Sequence, residues 1–310
     1  MNSFYAHALV GSSISPTAAP AGAIDDDRLA ELQAAAGRWR AADERRYRAA
    51  VATVCDADAD AHCIRPWNRR PASRAYAKLC EILAEMPIKC RVRLSVHLGE
   101  APGGFVQALA DVGAAAKATA RARVSLADDW RYVAVSLPPA RGGLEWRLTD
   151  RDLRWCATGD PIDGDLLDND LRDRLLEDYA ARCQLVTADG GFEVDYAAQT
   201  QERAAFDLVR REFEIALALL DPRCLGATCV VKLFDTRDAD TRSLVAATAS
   251  CFDRAWIVKP SSSRAVNAER YFVGVGLREP SAIERRLETA RAALGARQGY
   301  ALRRVGDLMQ

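Results

Sequence analysis

The sequence predicts an α/β protein, a doubly wound and mostly parallel sheet with helices on both faces. Three observations carry that expectation. Val92 to Leu98 is a mostly apolar run with β-branched valines that ends at Gly99, turns through Pro102-Gly103-Gly104 and enters the periodic Phe105, Val106, Leu109, Ala110. Strand, glycine turn, helix is the opening of a nucleotide-type binding unit. Further apolar strands then alternate with helical stretches, which calls for right-handed crossovers and parallel pairing. Finally, Thr228 to Phe234 is apolar almost throughout, as in a strand covered on both faces.

Composition narrows the class. Of 310 residues 49% are apolar, and 43 basic side chains balance 43 acidic ones, so a sizeable core is expected and gross disorder is not. Zero net charge argues against whole-surface attraction to nucleic acid but leaves room for a local basic groove. The nine cysteines form no C-x-x-C pair, and the three histidines (His7, His62, His97) are scattered. A reducing compartment is therefore expected, with no metal site. No apolar run has the length of a membrane span. Neither Lys nor Arg precedes Arg28, which argues against a secretory or transit leader. The expectation is a soluble, intracellular protein.

In chain order, residues 1–24 are rich in Gly, Ser and Pro and read as a mobile tail. Residues 25–72 read as a helical extension. Asp25 to Asp27 cap it, and Leu29, Leu32, Ala36 and Trp39 form a stripe that either packs on the main domain or docks a partner. Asp56 to Cys63 resembles a calcium loop but lacks its glycine and terminal glutamate. Arg65, Arg69, Arg70 and Arg74 surround Trp67, a patch that either holds RNA or is merely solvated. The main domain is expected over 73–278. Ser73 can cap a helix with Tyr76, Leu79, Leu83 and Met86 on one face, ended by Pro87. Lys78 lies off that stripe, one turn from Glu81, and its plain reading is a surface ion pair.

Next comes the turn Gly99-Glu100-Ala101-Pro102-Gly103-Gly104-Phe105. Its G-x-x-P-G-G pattern differs from G-x-G-x-x-G, so a nicotinamide cofactor is not its natural ligand. Backbone without side chains lets a ligand lie close, and the helix start offers N–H groups to an anionic group such as a carboxylate. Strands are expected at 131–137, 184–189, 228–234, 255–259 and 271–277. Helices are expected at 171–183, 199–220 and 241–252, and a charged helical tail at 279–310.

Two positions stand out chemically. Lys232 interrupts an apolar strand; either its ammonium is buried and paired, or it snorkels from the strand end. Asp189 ends the preceding strand, before Gly190-Gly191, at the edge where open α/β sheets bind ligands. The loop Lys259-Pro260-Ser261-Ser262-Ser263-Arg264-Ala265-Val266-Asn267-Ala268-Glu269 is dense in polar donors suited to phosphate and ribose. A generic surface turn is the alternative.

These segments carry a resemblance. Gly99-x-x-Pro102-Gly103-Gly104-Phe105, Leu185 to Gly191, Val231-Lys232-Leu233-Phe234, and Lys259-Pro260-x-Ser262-Ser263-Arg264-x-x-Asn267-x-Glu269-x-Tyr271 look like the FtsJ-like RNA ribose 2′-O-methyltransferases. With Ser73-Arg74-Ala75-Tyr76-x-Lys78-Leu79-x-Glu81, the likeness is greatest to the eukaryotic and large-DNA-virus mRNA cap methyltransferases. The resemblance implies a Rossmann-like class I methyltransferase domain and a Lys-Asp-Lys-Glu tetrad at Lys78, Asp189, Lys232 and Glu269. It implies S-adenosylmethionine in the turn Gly99, Glu100, Ala101, Pro102, Gly103, Gly104, Phe105, with Asp160 at the adenine. RNA contacts are expected at Lys259, Ser262, Ser263, Arg264 and Asn267. The ribose-binding acid usual after the second strand is missing, since Ser136 and Leu137 stand there.

The residue types suit the chemistry. A sulfonium donor needs no metal; the enzyme aligns the acceptor and helps remove a proton from a weakly acidic hydroxyl. Lys232 is expected to orient or deprotonate that hydroxyl, with Lys78 lowering its pKa and Asp189 and Glu269 holding it in place. Two other readings stand beside the capped-mRNA one: a ribosomal or transfer RNA ribose methyltransferase, and an inactive methyltransferase-fold module that binds RNA or a polymerase. Trp67, Trp146 and Trp155 are cap-stacking candidates by residue type alone.

Overall fold

In the computed structural model the described residues are 5–10, parts of 35–50, 71–118, 123–148, 160–191, 198–263 and 268–278. The strands are β1 (Tyr5–Val10), β2 (Cys90–Leu98), β3 (Val124–Ser136), β4 (Asp160–Asp163), β5 (Leu185–Ala188), β6 (Thr228–Leu233), β7 (Phe252–Lys259) and β8 (Arg270–Leu277). The helices between them are α1 (Ala75–Glu85), α2 (Gly104–Ala118), α3 (Asn169–Tyr179), α4 (Ala198–Leu219) and α5 (Ala239–Ala249). One eight-stranded sheet results, in the order β1-β7-β8-β6-β5-β2-β3-β4. Strands β2 to β6 pair in parallel, while β8 runs antiparallel to β6 and β7, and β1 antiparallel to β7. The expected mostly parallel, doubly wound sheet is what forms.

Alternation along each strand builds two cores, one per face. Cys229, Val231 and Leu233 of β6 join Phe272 of β8 and meet Val209 and Phe213 of α4, Leu171 of α3 and Val245 of α5. Phe213 and Phe272 pack edge to face with ring centroids 5.1 Å apart, a geometry worth about 1 kcal/mol beyond area burial. On the opposite face Val230, Tyr271 and Val273 meet Tyr76, Leu79 and Leu83 of α1 and Phe105 and Leu109 of α2. Lys232 has the parity of Val230, and Glu269 that of Tyr271. The same face, covered by α1, therefore receives both.

The chain runs from β2 through β3 and β4 on one side, then returns to β5 on the other side of β2. This reversal is a topological switch point, where such sheets open a crevice at the carboxyl ends of their strands. β2 and β5 end level, with Leu98 opposite Ala188. The Asp189 N–H donates to the Leu98 carbonyl at 3.0 Å, so the glycine turn and Asp189 lie side by side.

Several expectations are corrected. Residues 5–10, assigned to a mobile tail, form an edge strand whose Tyr5 pairs with Lys259. β3 begins at Val124, well before Arg131; a shift in its register against β2 between Val92 and Leu94 carries the chain past the exposed Asp128 and Asp129. Of the stripe expected to pack the N-terminal arm, Trp39 lies among the described residues and is 63% exposed. Residues 51–70, with the calcium-like loop, the arginine patch and Trp67, and the tail over 279–310 lie outside the described residues. Among the described residues no helix is long and apolar enough to cross a membrane, and no three His, Cys, Asp or Glu side chains cluster as a metal site.

Candidate active site

Four charged side chains from four distant segments meet at the carboxyl end of the sheet. Lys232, the penultimate residue of apolar β6, donates through Nζ to the Asp189 carbonyl at 2.7 Å, and its ammonium lies 3.4 Å from Asp189 Oδ1. Only 9% of Lys232 is exposed, so the snorkelling alternative is not what forms. Across the same face, Lys78 Nζ of α1 lies 2.6 Å from Glu269 Oε1. Tyr271 ties the two pairs, donating its hydroxyl to Asp189 Oδ1 at 3.0 Å under the Lys78 ammonium. Lys78 does not pair with Glu81, because α1 turns it inward toward Glu269.

The electrostatics oppose one expectation. Burial alone would lower the Lys232 pKa, but the Asp189, Glu269 and Glu212 carboxylates outweigh it and raise the ammonium above its usual range. The net direction is the reverse of the lowering expected from Lys78, whose charge is engaged by Glu269. Glu269 in turn is resisted by burial but held well below the usual carboxylate range by Lys78 and Lys232. Burial, with Asp189 and Glu269 beside it, pushes the Tyr271 phenol up, which keeps it a hydrogen-bond donor.

The glycine turn is built tightly. Gly99 has φ +62°, and a Cβ there would sit 2.3 Å from the Gly190 Cα, so a side chain is excluded both by conformation and by space. Gly191 leaves room of another kind: a Cβ on it would reach to 2.9 Å from Lys232 Nζ. Glu100 is 4% exposed. Its Oε1 accepts from the Phe105 and Val106 N–H groups at 2.8 and 2.9 Å. The anion expected at the start of α2 is thus the chain's own carboxylate. Burial, with Asp189 nearby and against those two N–H bonds, pushes Glu100 up to about 8.

The Lys259–Glu269 segment was expected to face RNA, but its serines turn inward. Ser262 and Ser263 are buried. The Ser262 hydroxyl donates to Glu81 Oε2 at 2.7 Å, and the Ser263 hydroxyl to Glu269 Oε1 at 2.9 Å. Lys259 Nζ donates to Ser263 Oγ at 3.1 Å and to the Glu269 carbonyl at 2.8 Å. Arg264 and Asn267 lie outside the described residues, as do Trp67 and Trp155; Asp160 heads β4 opposite Val133. Trp146 is half-buried, and its indole N–H donates to Asp163 Oδ1 at 3.3 Å. His97 is fully buried between Ser95 and Thr187, and burial lowers its pKa to about 3, so it is a satisfied core residue.

Sequence reasoning missed Glu212. On α4 it shares the helical spacing of Val209, Phe213 and Ala216, and a charge set in that apolar stripe was the available signal. Its Oε1 accepts the Gly190 N–H at 3.2 Å. Oε2 is buried without a partner among the described residues. Burial pushes its pKa up to about 8, with Lys232 opposing and Asp189 adding to the shift.

Comparison with known proteins gives this arrangement its context. Residues 71–277 match the FtsJ-like methyltransferase family. The chain is 30% identical over 206 residues to a cap-specific mRNA (nucleoside-2′-O-)-methyltransferase of Autographa californica nuclear polyhedrosis virus, covering 66% of this chain and 72% of that one. It is 36% identical over 137 residues to cap-specific mRNA (nucleoside-2′-O-)-methyltransferase 1 of Leishmania braziliensis, covering 43% of this chain. The match spans only 34% of the Leishmania protein's length. Ribosomal RNA large subunit methyltransferase E of Anaeromyxobacter sp. (strain Fw109-5) is 29% identical over 211 residues, covering 68% of this chain and 66% of that one.

Proposed function

The chain belongs to the FtsJ-like methyltransferase family, and we propose that it transfers a methyl group from S-adenosylmethionine to a ribose 2′-hydroxyl near the 5′ cap of mRNA. The observation that carries this reading is the joined pair of ion pairs, Lys232–Asp189 and Lys78–Glu269, at the switch-point crevice. The similarity to two cap-specific enzymes favours the capped substrate.

The residues present fit the donor. Gly99 and Gly190 bring bare backbone together at the crevice, and the partly buried Asp189 carboxylate favours a cationic ligand there. Gly99 to Phe105 would hold the cofactor's amino-acid end, and Asp160, at the head of β4, its adenine. When bound, S-adenosylmethionine supplies a methyl group made electrophilic by its sulfonium. The chain's own work is alignment and proton handling. Lys232, kept protonated chiefly by the Asp189 and Glu269 carboxylates, orients the hydroxyl oxygen by donating to it. Offsetting the charge of Asp189 with a cation in the crevice returns Lys232 toward the neutral amine that can accept the hydroxyl proton. Asp189, itself held by the Tyr271 hydroxyl, fixes the amine, and the charge of Glu269, anchored by Lys78, acts on it through space. The serines of the Lys259–Glu269 segment act by shaping it, and Lys259, Arg264 and Asn267 would contact the RNA. The exposed Trp39 supports use of the N-terminal arm as a docking element.

The test is incubation with methyl-labelled donor and two RNAs of one sequence, one with a 7-methylguanosine cap and one with a 5′-triphosphate, followed by digestion. Label on the 2′-oxygen of the first or second nucleotide, only with the cap, is expected. Equal labelling would favour a general RNA ribose methyltransferase, the reading that the ribosomal RNA relative supports. Bound donor with no transfer to any RNA would overturn both.

A further inference from the structure

Arg74, Lys78 and Glu81 are spaced by four and three residues, so they share one face of α1, and all three address the segment between β7 and β8. Arg74 donates to the Ser262 carbonyl at 3.5 Å. Lys78 holds Glu269 at the far end. Glu81 takes the near end with three bonds, accepting from the Ser261 N–H at 2.6 Å, the Ser262 N–H at 3.0 Å and the Ser262 hydroxyl at 2.7 Å. Glu81 is 1% exposed. A carboxylate taken that far out of water is tolerable only when its oxygens are met by donors, and here the donors come from this segment. The two ends of the segment are also stitched to each other through Lys259, Ser263 and Glu269. One helix face thereby sets the segment's position relative to Lys78 and, through Glu269, to Lys232.

We propose that Glu81 is a positioning residue for the RNA strand: it fixes Ser261-Ser262 against α1 so that Lys259 to Ser263 help seat the acceptor nucleotide beside Lys232. The inference rests on the RNA methyltransferase reading above and deepens it. Glu81 touches neither the donor site nor the reacting atoms, so its loss separates RNA use from donor binding.

The experiment compares the wild-type chain with Glu81→Gln, Glu81→Ala and Ser262→Ala. Donor affinity is read by calorimetry, kcat and KM on capped RNA by steady-state kinetics, RNA affinity by fluorescence anisotropy, and amide exchange across 258–263 by mass spectrometry. In Glu81→Ala, KM for RNA should rise about tenfold or more, with donor affinity unchanged and exchange at Ser261 and Ser262 accelerated. Ser262→Ala, which removes one of the three bonds, should raise KM about threefold, and Glu81→Gln should fall between. Faster exchange with unchanged KM and RNA affinity would overturn the proposal, as would parallel loss of donor and RNA binding in all three variants. If the wild-type chain methylates no RNA, the function proposed above fails on its own account; RNA affinity and exchange then still decide for or against Glu81.

Discussion

Lys78 and Glu269 lie 191 positions apart in the chain yet meet at 2.6 Å, with 12% and 15% of their side chains exposed. Each is the other's main compensation for leaving water. Replacing Lys78 with Met should therefore strand a buried carboxylate and cost about 3–5 kcal/mol of stability at neutral pH. The sign with pH follows from the lowered Glu269 pKa. Its stabilisation is complete above the unfolded carboxylate value of about 4.5 and is lost as pH falls toward the folded value. Denaturant unfolding at pH 7 and pH 3 should show a gap between wild type and Lys78→Met that narrows in acid.

Lys232→Ala should lower methyl transfer by about 10²–10⁴-fold and leave donor affinity within about twofold. Calorimetry together with single-turnover transfer checks both halves. Near-normal turnover would remove Lys232 from the reaction.

Glu212 should make the fold less stable as pH rises. Its folded pKa of about 8 lies above the unfolded carboxylate value, so between about pH 4.5 and 8 the unfolded chain has released a proton that the folded chain keeps. Glu212→Gln retains an acceptor for the Gly190 N–H and removes the ionisation. Its melting temperature should exceed that of wild type by a margin that grows from pH 5 to pH 8; a margin independent of pH would refute the assignment.

Gly99→Ala should abolish donor binding, because its Cβ would press the Gly190 backbone apart and the backbone would be held at φ +62°. Calorimetric titration of the folded variant with S-adenosylmethionine checks it, and wild-type affinity would show that the turn yields.

How much of this was legible in sequence depends on where the partners lie. Lys232 betrayed itself because a cation among Val230, Val231, Leu233 and Phe234 violates the pattern of a doubly covered strand. The Gly99 turn showed itself through composition. Lys78 misled: Glu81 at helical spacing was the nearest opposite charge, while its actual partner is brought to it by the sheet. Glu81 read as ordinary helix surface, since glutamate suits an exposed helix and nothing local announces a serine loop packed on it; Glu212 was signalled only by its place in the apolar stripe of Val209, Phe213 and Ala216. Ser262 and Ser263 read as exposed for the same reason, because polarity cannot distinguish a hydroxyl facing water from one facing a buried carboxylate. Strand β1 was hidden, as an edge strand gains its hydrogen bonds only from a neighbour far along the chain.

That neighbour, β7, carries Ala255, Trp256, Ile257 and Val258, and its outer row of amides and carbonyls is sealed by Tyr5–Val10. At the opposite margin β4 is only four residues long and carries Asp160 and Asp163, a blunt border that discourages addition of another strand. The two margins are thus guarded unequally, one by charge and brevity and the other by a removable piece of the chain's own beginning. Clipping that piece would uncover the apolar run Ala255 to Val258 to strand addition and self-association, and, because Tyr5 pairs with Lys259, it would also release the strand end that carries Lys259 to Glu269.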